Sequence, residues 1–213
     1  MQRIDMKNFH EETLYPAINS IIFDCHVSSM KFMAQFGMSP MAKDFILRPA
    51  VMEDMTAIWE IILQAKTQMY REGKHQWDEH YPTIQIMEND ILQGWGHVLV
   101  PSDSRTDIIS YGAVVFDGEP AYSDLRDGSW LSEQPYIVLH RLAVADRWKR
   151  QGMARRYMQA VTDIALSHGI RSFRVDTNYD NLYMQKLFDS LGFRYCGHIT
   201  YGTGQRMAYE KLI

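Results

Sequence analysis

The sequence contains few of the residues from which metal sites and disulfide frameworks are built. Its two cysteines, Cys25 and Cys196, do not form a Cys-x-x-Cys pair. Two cysteines make no disulfide framework and are typical of a reducing compartment, so we expect a cytoplasmic protein. The eight histidines are scattered along the chain, with no His-Glu-x-x-His motif and no Cys/His cluster. This pattern argues against a bound metal ion.

Long apolar runs and an excess of positive charge are also missing. No run approaches the ~20 apolar residues that a membrane helix needs. The N-terminus lacks the basic stretch and apolar core that are typical of a secretory signal. The formal net charge is −4, which argues against a general nucleic-acid binder. The sequence therefore predicts neither a membrane nor a nucleic-acid partner.

The composition that is present is that of an ordinary globular protein. The 213 residues are 46% hydrophobic and 23% charged, enough for one domain with a substantial core. Residues 1–44 differ from the rest, because they are weakly periodic and broken by Pro16, Gly37 and Pro40. We interpret residues 1–44 as an N-terminal extension, or as residues that precede the true start of the protein, and residues 45–213 as the domain. The alternative is an N-terminal helix, Tyr15–Val27, that packs on the domain.

The first half of the domain predicts a strand, two helices and a hairpin. Apolar residues recur at helical spacing from Met55 to Met69, with Glu53 and Asp54 before them, where the helix dipole favours acids. The predicted elements are the strand Phe45–Arg48, the helix Met55–Met69, the loop 74–83, the helix Ile84–Leu92, and the strands Val98–Val100 and Ile108–Phe116.

The second half alternates strands with helices. The run Tyr136–Val144 is apolar enough to predict a strand buried on both faces. Around it the pattern predicts the loop 117–135, a helix from Ala154 to His168, the strand Ser172–Asp176, the helix Asn181–Leu191, and the strands Tyr195–Tyr201 and Arg206–Leu212. Such an order predicts a mixed α/β sheet with helices on its faces.

A cationic turn between a strand and a helix is the most informative local feature. Five cations and no acid lie in this turn and the first turn of the helix: Arg147, Lys149, Arg150, Arg155 and Arg156. Cations at a helix N-terminus are unfavourable by about 0.3–1 kcal/mol each unless an anion sits among them. Gly152 lets the backbone approach such a ligand, so the turn predicts a phosphate site. The alternative is an ordinary glycine turn with solvated arginines. The GxxxxGK[ST] and GxGxxG signatures are absent, which argues against an ATPase and a dinucleotide-dependent oxidoreductase.

Three motifs resemble those of the GNAT N-acetyltransferase superfamily. Leu142–Val144 followed by Lys149–Ala154 resembles the motif hydrophobic–Ala–Val, then Arg/Gln-x-x-Gly-x-Gly/Ala. Asn181–Phe193 resembles Asn-x-x-Ala-x-x-Leu-Tyr-x-x-x-Gly-Phe, and Leu47–Asp54 resembles the opening strand and helix. The similarity covers about Phe45 to Lys211. Four further segments resemble a bacterial subgroup of unassigned substrate: Gly73-x-x-Gln76-Trp77, Tyr81-Pro82, Phe116–Pro120 and His140–Val144.

The resemblance implies a fold, a cofactor and a set of cofactor contacts. The fold is a mixed central β-sheet of about six to seven strands with helices on both faces, and the cofactor is acetyl-CoA. Main-chain groups would pair with the pantetheine arm, backbone amides would hold the pyrophosphate, and Asn181 would lie near the thiol end. The implied cofactor-binding residues are Leu142, Ala143, Val144, Lys149, Arg150, Gln151, Gly152, Met153, Ala154, Arg155, Asn181 and Phe188. Because dimerisation is common in the family, the resemblance also implies a homodimer.

Two positions depart from the family pattern. Lys149 stands where Arg or Gln is usual, a mild change because main-chain amides supply most of that site. Phe188 stands where many members carry the tyrosine that protonates the leaving thiolate. A phenyl ring cannot donate a proton, so that role is vacant or has moved. Tyr183 and Tyr179 lie near it in sequence, but helical geometry turns Tyr183 to another face than Phe188.

Amine acetylation needs a neutral amine, and two residues are candidates for the base. An alkylamine has a pKa of ~10.4 and is protonated at pH 7. Asp176 lies at the position of the general-base glutamate of some family members, and His140 lies on the strand before the turn. By alternation, His140 shares a face with Val138, Leu142 and Val144. The alternatives are a core histidine and, for Asp176, a cap of the turn 177–181.

Further side chains belong to weaker interpretations. Cys196 could serve a ping-pong mechanism, but a small buried apolar residue is the better interpretation. Loop aromatics could form the wall of an amine pocket, and loop acids could attract a cation. These residues are Trp77, Tyr81 and Trp130, and Asp78, Glu79, Asp117 and Glu119.

The sequence therefore predicts an acetyl-CoA-dependent N-acetyltransferase that modifies the amine of a small molecule or a peptide. The alternative is a GNAT-type module that binds CoA or acetyl-CoA without turnover, which Phe188 favours. Transfer of a longer acyl group is a third interpretation, decided by the room beside the thioester. Fold alone does not choose among them.

Overall fold

The computed structural model describes residues 44–116, 118–202 and 204–213. The possible helix Tyr15–Val27 and nearly all of the extension 1–44 lie outside these ranges. The unit described below runs from Phe45 to Ile213. Every helix in it falls short of the length and apolarity that a membrane span requires.

Seven strands form one mixed sheet, which confirms the predicted number and class. Their bounds are β1 Phe45–Pro49, β2 Gly96–Pro101, β3 Ser110–Val115, β4 Tyr136–Val144, β5 Ser172–Thr177, β6 Arg194–Tyr201 and β7 Gly204–Leu212. The spatial order is β1-β2-β3-β4-β5-β7-β6. All neighbours are antiparallel except β4 and β5, which run parallel.

Helices cover both faces of the sheet, as the sequence predicts. Their bounds are α1 Met55–Arg71, α2 Ile84–Leu92, α3 Met153–Ser167 and α4 Leu182–Leu191. On one face, α3 and α4 bury Tyr157 and Phe188. On the other, α1 and α2 bury Ile58 and Met87. Because successive strand residues point to opposite faces, β2 places Leu99 in the first core and Val98 in the second.

The segment 118–135, predicted as a loop, is tied to the sheet and contains a short 3₁₀ helix, Pro120–Asp124. Tyr122 packs with Val138 on the same face of the sheet as α1 and α2, over a part of the sheet that these two helices do not cover. Main-chain hydrogen bonds of 2.8 and 2.9 Å join Arg126 and His198 on β6. The segment therefore has a fixed place over the second half of the sheet.

A gap opens between the two parallel strands. β4 pairs with β5 only from Tyr136 to Val138, opposite Ser172–Arg174. Beyond Val138 the β5-facing edge of β4 pairs with no described strand, while its other edge continues along β3. The carboxyl ends of parallel strands in α/β sheets are common ligand sites, and here the strands part at that end.

Gly128 tests how firmly the segment 118–135 is attached. A Cβ on Gly128 would lie 1.9 Å from the carbonyl oxygen of Cys196 on β6, so backbone would have to move. We expect Gly128→Ala to lower the free energy of unfolding by about 2 kcal/mol or more. For a chain of this size that lowers Tm by roughly 4–8 °C.

Gly202→Ala is the matched control, because a Cβ there meets nothing within 4 Å. Calorimetry of both variants should show Tm of the control within about 2 °C of wild type. Equal Tm values for the two variants would mean that the segment is free to shift.

Candidate active site

A bulge in β4 sets the geometry of the site. Where β3 contributes one residue, Gly112, β4 contributes two, Arg141 and Leu142. Arg141 has a φ of +56°, a left-handed conformation that L side chains rarely adopt. Such a conformation costs of order 1–3 kcal/mol in a non-glycine residue and persists only where the surroundings enforce it.

The bulge makes one prediction wrong. Alternation placed His140 on the same face as Leu142 and Val144. Instead, Leu142 and Val144 pack against the core under α3 and α4, whereas Val138 belongs to the core on the opposite face. His140 stays in step with Val138, and the extra residue reverses the alternation after it. The strand is nevertheless buried on both faces, as predicted.

A cleft of about 950 Å³ runs along the end of β4 and the start of α3. Most of the predicted cofactor-binding residues line it: Leu142, Ala143, Val144, Lys149, Arg150, Gly152, Met153, Ala154, Arg155 and Asn181. Two do not. The Gln151 side chain is exposed and donates to the carbonyl of Arg147 at 2.8 Å. Phe188 lies in a neighbouring cavity.

The turn before α3 has the backbone form of an anion site. Arg150 and Gly152 have φ values of +61° and +76°. Gly152 is the N-cap of α3 and offers no side chain to the first N–H groups of the helix. Unpaired N–H groups at a helix start, after left-handed residues, form a concavity that favours negative charge.

The cations of this turn are only partly available to a ligand. Lys149 Nζ lies 2.5 Å from Asp146 and donates to Gln68 at 2.6 Å. The Arg155 guanidinium donates to Ser190. Arg150, by contrast, forms no ion pair with a described residue. The main chain and Arg150 are therefore the best-placed groups for an anion.

A second cavity of about 360 Å³ adjoins the cleft at the gap between β4 and β5. The two share four lining residues: Met69, Leu142, Asn181 and Met184. Asn181 also caps α4, since its side chain accepts the N–H of Met184 at 3.3 Å. A ligand in the cleft can therefore extend one end into the second cavity.

Asp176 lies in this second cavity, held by two tyrosines. Its Oδ2 accepts from the hydroxyl of Tyr122 at 2.9 Å and from that of Tyr201 at 3.2 Å. Burial raises the pKa of Asp176, although the charge of His140 and the two hydroxyls act in the opposite direction. The turn 177–181 takes its helix cap from Asn181, so Asp176 does not serve as that cap.

His140 also lines the second cavity and pairs with a carboxylate. Its Nε2 lies 3.0 Å from Glu119 Oε2. Burial alone would raise the pKa of Glu119, but the bond to His140 and the N–H of Ala121 outweigh it and lower that pKa. His140 is therefore a paired histidine at a cavity wall rather than one enclosed in the core.

Phe188 is buried against Phe193 and Tyr209, with ring centroids 5.6 and 5.2 Å away. Tyr183 is 66% exposed, which confirms that it faces away from Phe188. It lines the cleft, and Tyr179 lines neither cavity. The tyrosines that line the second cavity are instead Tyr81 and Tyr201.

The loop residues predicted as pocket walls divide into two groups. Trp77, Tyr81 and Glu119 line the second cavity. Trp130 does not, because it packs on Tyr122 and on the Arg174 guanidinium. Asp78 and Glu79 are exposed elsewhere, and Asp117 lies outside the described residues.

Cys196 is buried and lines neither cavity. Burial raises the pKa of its thiol. This confirms the interpretation of Cys196 as a small core residue. Within the described ranges, no group of three metal-ligating side chains could hold a metal ion.

The sequence did not predict the buried pair Asp90–Arg141. The guanidinium donates to both carboxylate oxygens, from Nε at 2.9 Å and from Nη2 at 2.6 Å. The Tyr111 hydroxyl also donates to Asp90, at 2.7 Å. The one feature of the sequence that could have indicated this pair is Asp90, an acidic residue on the buried face of α2. Nothing in the sequence marked Tyr122 or Tyr201 as partners of Asp176.

Known proteins place this geometry in a family. The family model described as "Acetyltransferase (GNAT) family" matches residues 52–193. The GNAT-family acetyltransferase from Streptococcus agalactiae 2603 is 28% identical, with a TM-score of 0.72 over 82% of this chain and 99% of that one. No curated protein sequence matches the chain.

Two more distant structures share the fold. The GNAT-family acetyltransferase from Listeria monocytogenes 4b F2365 is 15% identical, with a TM-score of 0.65 over 83% of this chain and 99% of its own. The NatC complex bound to Gag peptide and CoA contains a chain that is also 15% identical, with a TM-score of 0.53 over 80% of this chain and 99% of its own. The family match spans more than half of the sequence, and the chain therefore belongs to the GNAT family of acetyltransferases.

Proposed function

We propose that this protein transfers the acetyl group of acetyl-CoA to the amine of a small molecule. The observation that carries the proposal is the meeting of two cavities at the gap between β4 and β5. One contains most of the predicted cofactor residues, and the other contains Asp176, His140 and Glu119. Two reactants that enter from opposite ends would meet in the gap, and such positioning is a large part of catalysis.

The cofactor would lie along the cleft, with its pyrophosphate at the start of α3. The amides of residues 150–155 and the Arg150 guanidinium suit that group. The pantetheine arm would follow the unpaired edge of β4 at Leu142–Val144, as an added strand. Asn181 lines both cavities, so it suits a contact near the thiol end. The fold-related NatC complex, which has CoA bound, supports this choice of cofactor.

The acceptor would occupy the second cavity. Its volume of about 360 Å³ is in the range that suits a small ligand. Trp77, Met184 and Phe188 give it apolar walls. The carboxylates of Glu119 and Asp176 can bind a protonated amine, and Arg141 and Arg206 line the same cavity. A peptide amine, such as the fold-related NatC complex suggests, is the alternative.

Asp176 is the better candidate for the proton acceptor. The Nε2 of His140 is engaged by Glu119, whereas Asp176 Oδ1 accepts no hydrogen bond from a described residue. A raised pKa makes a carboxylate a stronger base. It also brings the pKa of the carboxyl group closer to the pKa of the protonated amine from which the proton is taken. Tyr122 and Tyr201 would fix the carboxylate in one orientation.

The reaction then needs no covalent enzyme intermediate. The protonated amine passes one proton to Asp176, and its freed electron pair forms a bond to the thioester carbon. The nitrogen releases its second proton to solvent as the amide forms. The carbon–sulfur bond breaks, and its electrons leave with the sulfur as a thiolate. Phe188 supplies no proton there, so the thiolate takes one from solvent. The charge on the carbonyl oxygen would be met by a main-chain N–H of Leu142–Val144.

The alternative function is a module that binds CoA without turnover. Its support is Phe188, which removes a proton donor from the position where many relatives have one. Asp176 and its two tyrosines count against it, because a binding module has no use for an oriented carboxylate in the second cavity. Acyl chains longer than acetyl stay a third candidate.

Gly152→Glu tests the cofactor site. It places a carboxylate at the start of α3, so repulsion from the pyrophosphate should weaken CoA binding at least about tenfold, or 1.4 kcal/mol. Gly169→Glu is the matched control. Both glycines have positive φ, +76° and +73°, and a Cβ on either meets nothing within 4 Å. The control lies after the other end of α3.

Calorimetric titration with CoA measures both variants. The two share the strain of a left-handed glutamate, about 1–2 kcal/mol, so a difference in affinity reports the site and not the fold. Equal affinities would place the pyrophosphate elsewhere.

Asp176→Asn tests the base and the function together. Thiol release from acetyl-CoA is followed with primary amines, polyamines, amino acids and peptides as acceptors. With the best acceptor, we expect kcat of the variant to fall about 10²–10⁴-fold. CoA affinity should stay at the wild-type value, because asparagine changes the charge and not the shape.

Stability separates a catalytic from a structural role. Since burial raises the pKa of Asp176, its ionisation costs more free energy in the folded than in the unfolded chain. A neutral asparagine removes that cost, so Tm at pH 7 should equal or exceed that of wild type. The advantage should shrink as the pH falls through the raised pKa towards about 3.9, the value in the unfolded chain, and should be absent below it, where both states are protonated. A variant with lower Tm and unchanged kcat would contradict the assignment.

Acetyl-CoA that binds without release of thiol to any acceptor of the panel would favour the binding module.

A further inference from the structure

We infer that the Asp90–Arg141 ion pair positions both reactants by holding the bulge of β4 in place. Arg141 and Asp90 are then positioning residues for the transfer, and this inference rests on the function proposed above. It joins an unusual backbone conformation to a buried ion pair.

The backbone at Arg141 is where the two reactant sites diverge. The preceding residue, His140, lines only the second cavity, where the acceptor would bind. The following residue, Leu142, lines both that cavity and the cleft where the cofactor would bind. A regular strand would place the two on the same face. The φ of +56° at Arg141 sends them apart.

The ion pair is built to hold one side chain in one place. Two guanidinium nitrogens bind two carboxylate oxygens, an arrangement that fixes orientation as well as distance. Asp90 is 1% exposed, and Tyr111 on β3 donates to the same carboxylate. The pair therefore ties α2, β3 and β4 together at the bulge.

Stability alone does not explain such a pair. Burying two charges removes their hydration, and apolar residues of similar volume often serve a fold as well or better. A pair that also enforces a left-handed residue has a second use. The Tyr81 hydroxyl, 3.4 Å from Arg141 Nη1, extends the contact to the wall of the acceptor cavity.

Two double variants separate the backbone from the ion pair. Both contain Asp90→Asn, which removes the buried charge and keeps an acceptor for Tyr111. One adds Arg141→Gly and the other Arg141→Ala. Glycine adopts positive φ freely, whereas alanine resists it. Both lack the pair, so they differ only in how readily the bulge forms.

We expect the glycine variant to retain at least about tenfold more activity than the alanine variant, the factor set by the left-handed strain. The readouts are the affinity for CoA, and kcat and KM with the amine that supports the fastest thiol release. The loss in the alanine variant should appear in kcat and in CoA affinity together, because the bulge orients both sites. Circular dichroism checks that both variants fold.

If the alanine variant does not fold, Arg141→Lys replaces it. Lysine keeps the charge, but its single ammonium cannot bind two oxygens as a planar fork does, so kcat should fall although Asp90 stays paired.

Equal kcat and CoA affinity in the glycine and alanine variants would overturn the inference, as would wild-type kcat in Arg141→Lys. Wild-type protein that binds no CoA would instead contradict the proposed function and be recognised before any variant is made.

Discussion

The site depends on one constraint, the early end of the pairing between β4 and β5. The two strands share only three residue pairs before they separate. β4 continues along β3, and its other edge pairs with no described strand beyond Val138. The cleft and the second cavity both lie at that separation, and the turn before α3 follows the end of β4 in the chain.

Buried charge is arranged so that Asp176 differs from the other acids. Asp90 pairs with Arg141, Glu119 with His140, and Glu210 with Arg174. Asp176 is held by hydroxyl groups, and within the described ranges it has no ion pair at hydrogen-bonding distance. Hydroxyls stabilise a carboxylate less than a cation does, so burial dominates and the pKa rises.

The segment 118–135 delivers two of these groups from outside the sheet core. Its Glu119 reaches His140, and its Tyr122 reaches Asp176. Farther along, the Leu131 N–H and the Ser132 hydroxyl donate to the buried Glu210. An ion pair in the interior thus also fixes the position of a segment at the site.

The sequence predicted the regular elements and the turn before α3 well, because apolar periodicity and glycine position are local signals. It could not place His140 relative to Leu142. Alternation assumes a regular strand, and nothing in the letters around Arg141 announces a left-handed residue. Nor could it pair Tyr122 with Asp176, which lie 54 positions apart, because that contact depends on how the segment 118–135 folds back. Gln151 shows the limit of a motif, since its backbone belongs to the turn while its side chain points away.

A crystal structure of the protein with CoA bound tests the account most directly. We predict that the pyrophosphate accepts hydrogen bonds from the main-chain amides of residues 150–155, and that the sulfur lies in the gap between β4 and β5, beside Leu142 and within reach of the cavity that contains Asp176. A pyrophosphate bound away from the start of α3, or a sulfur atom outside the gap, would contradict it.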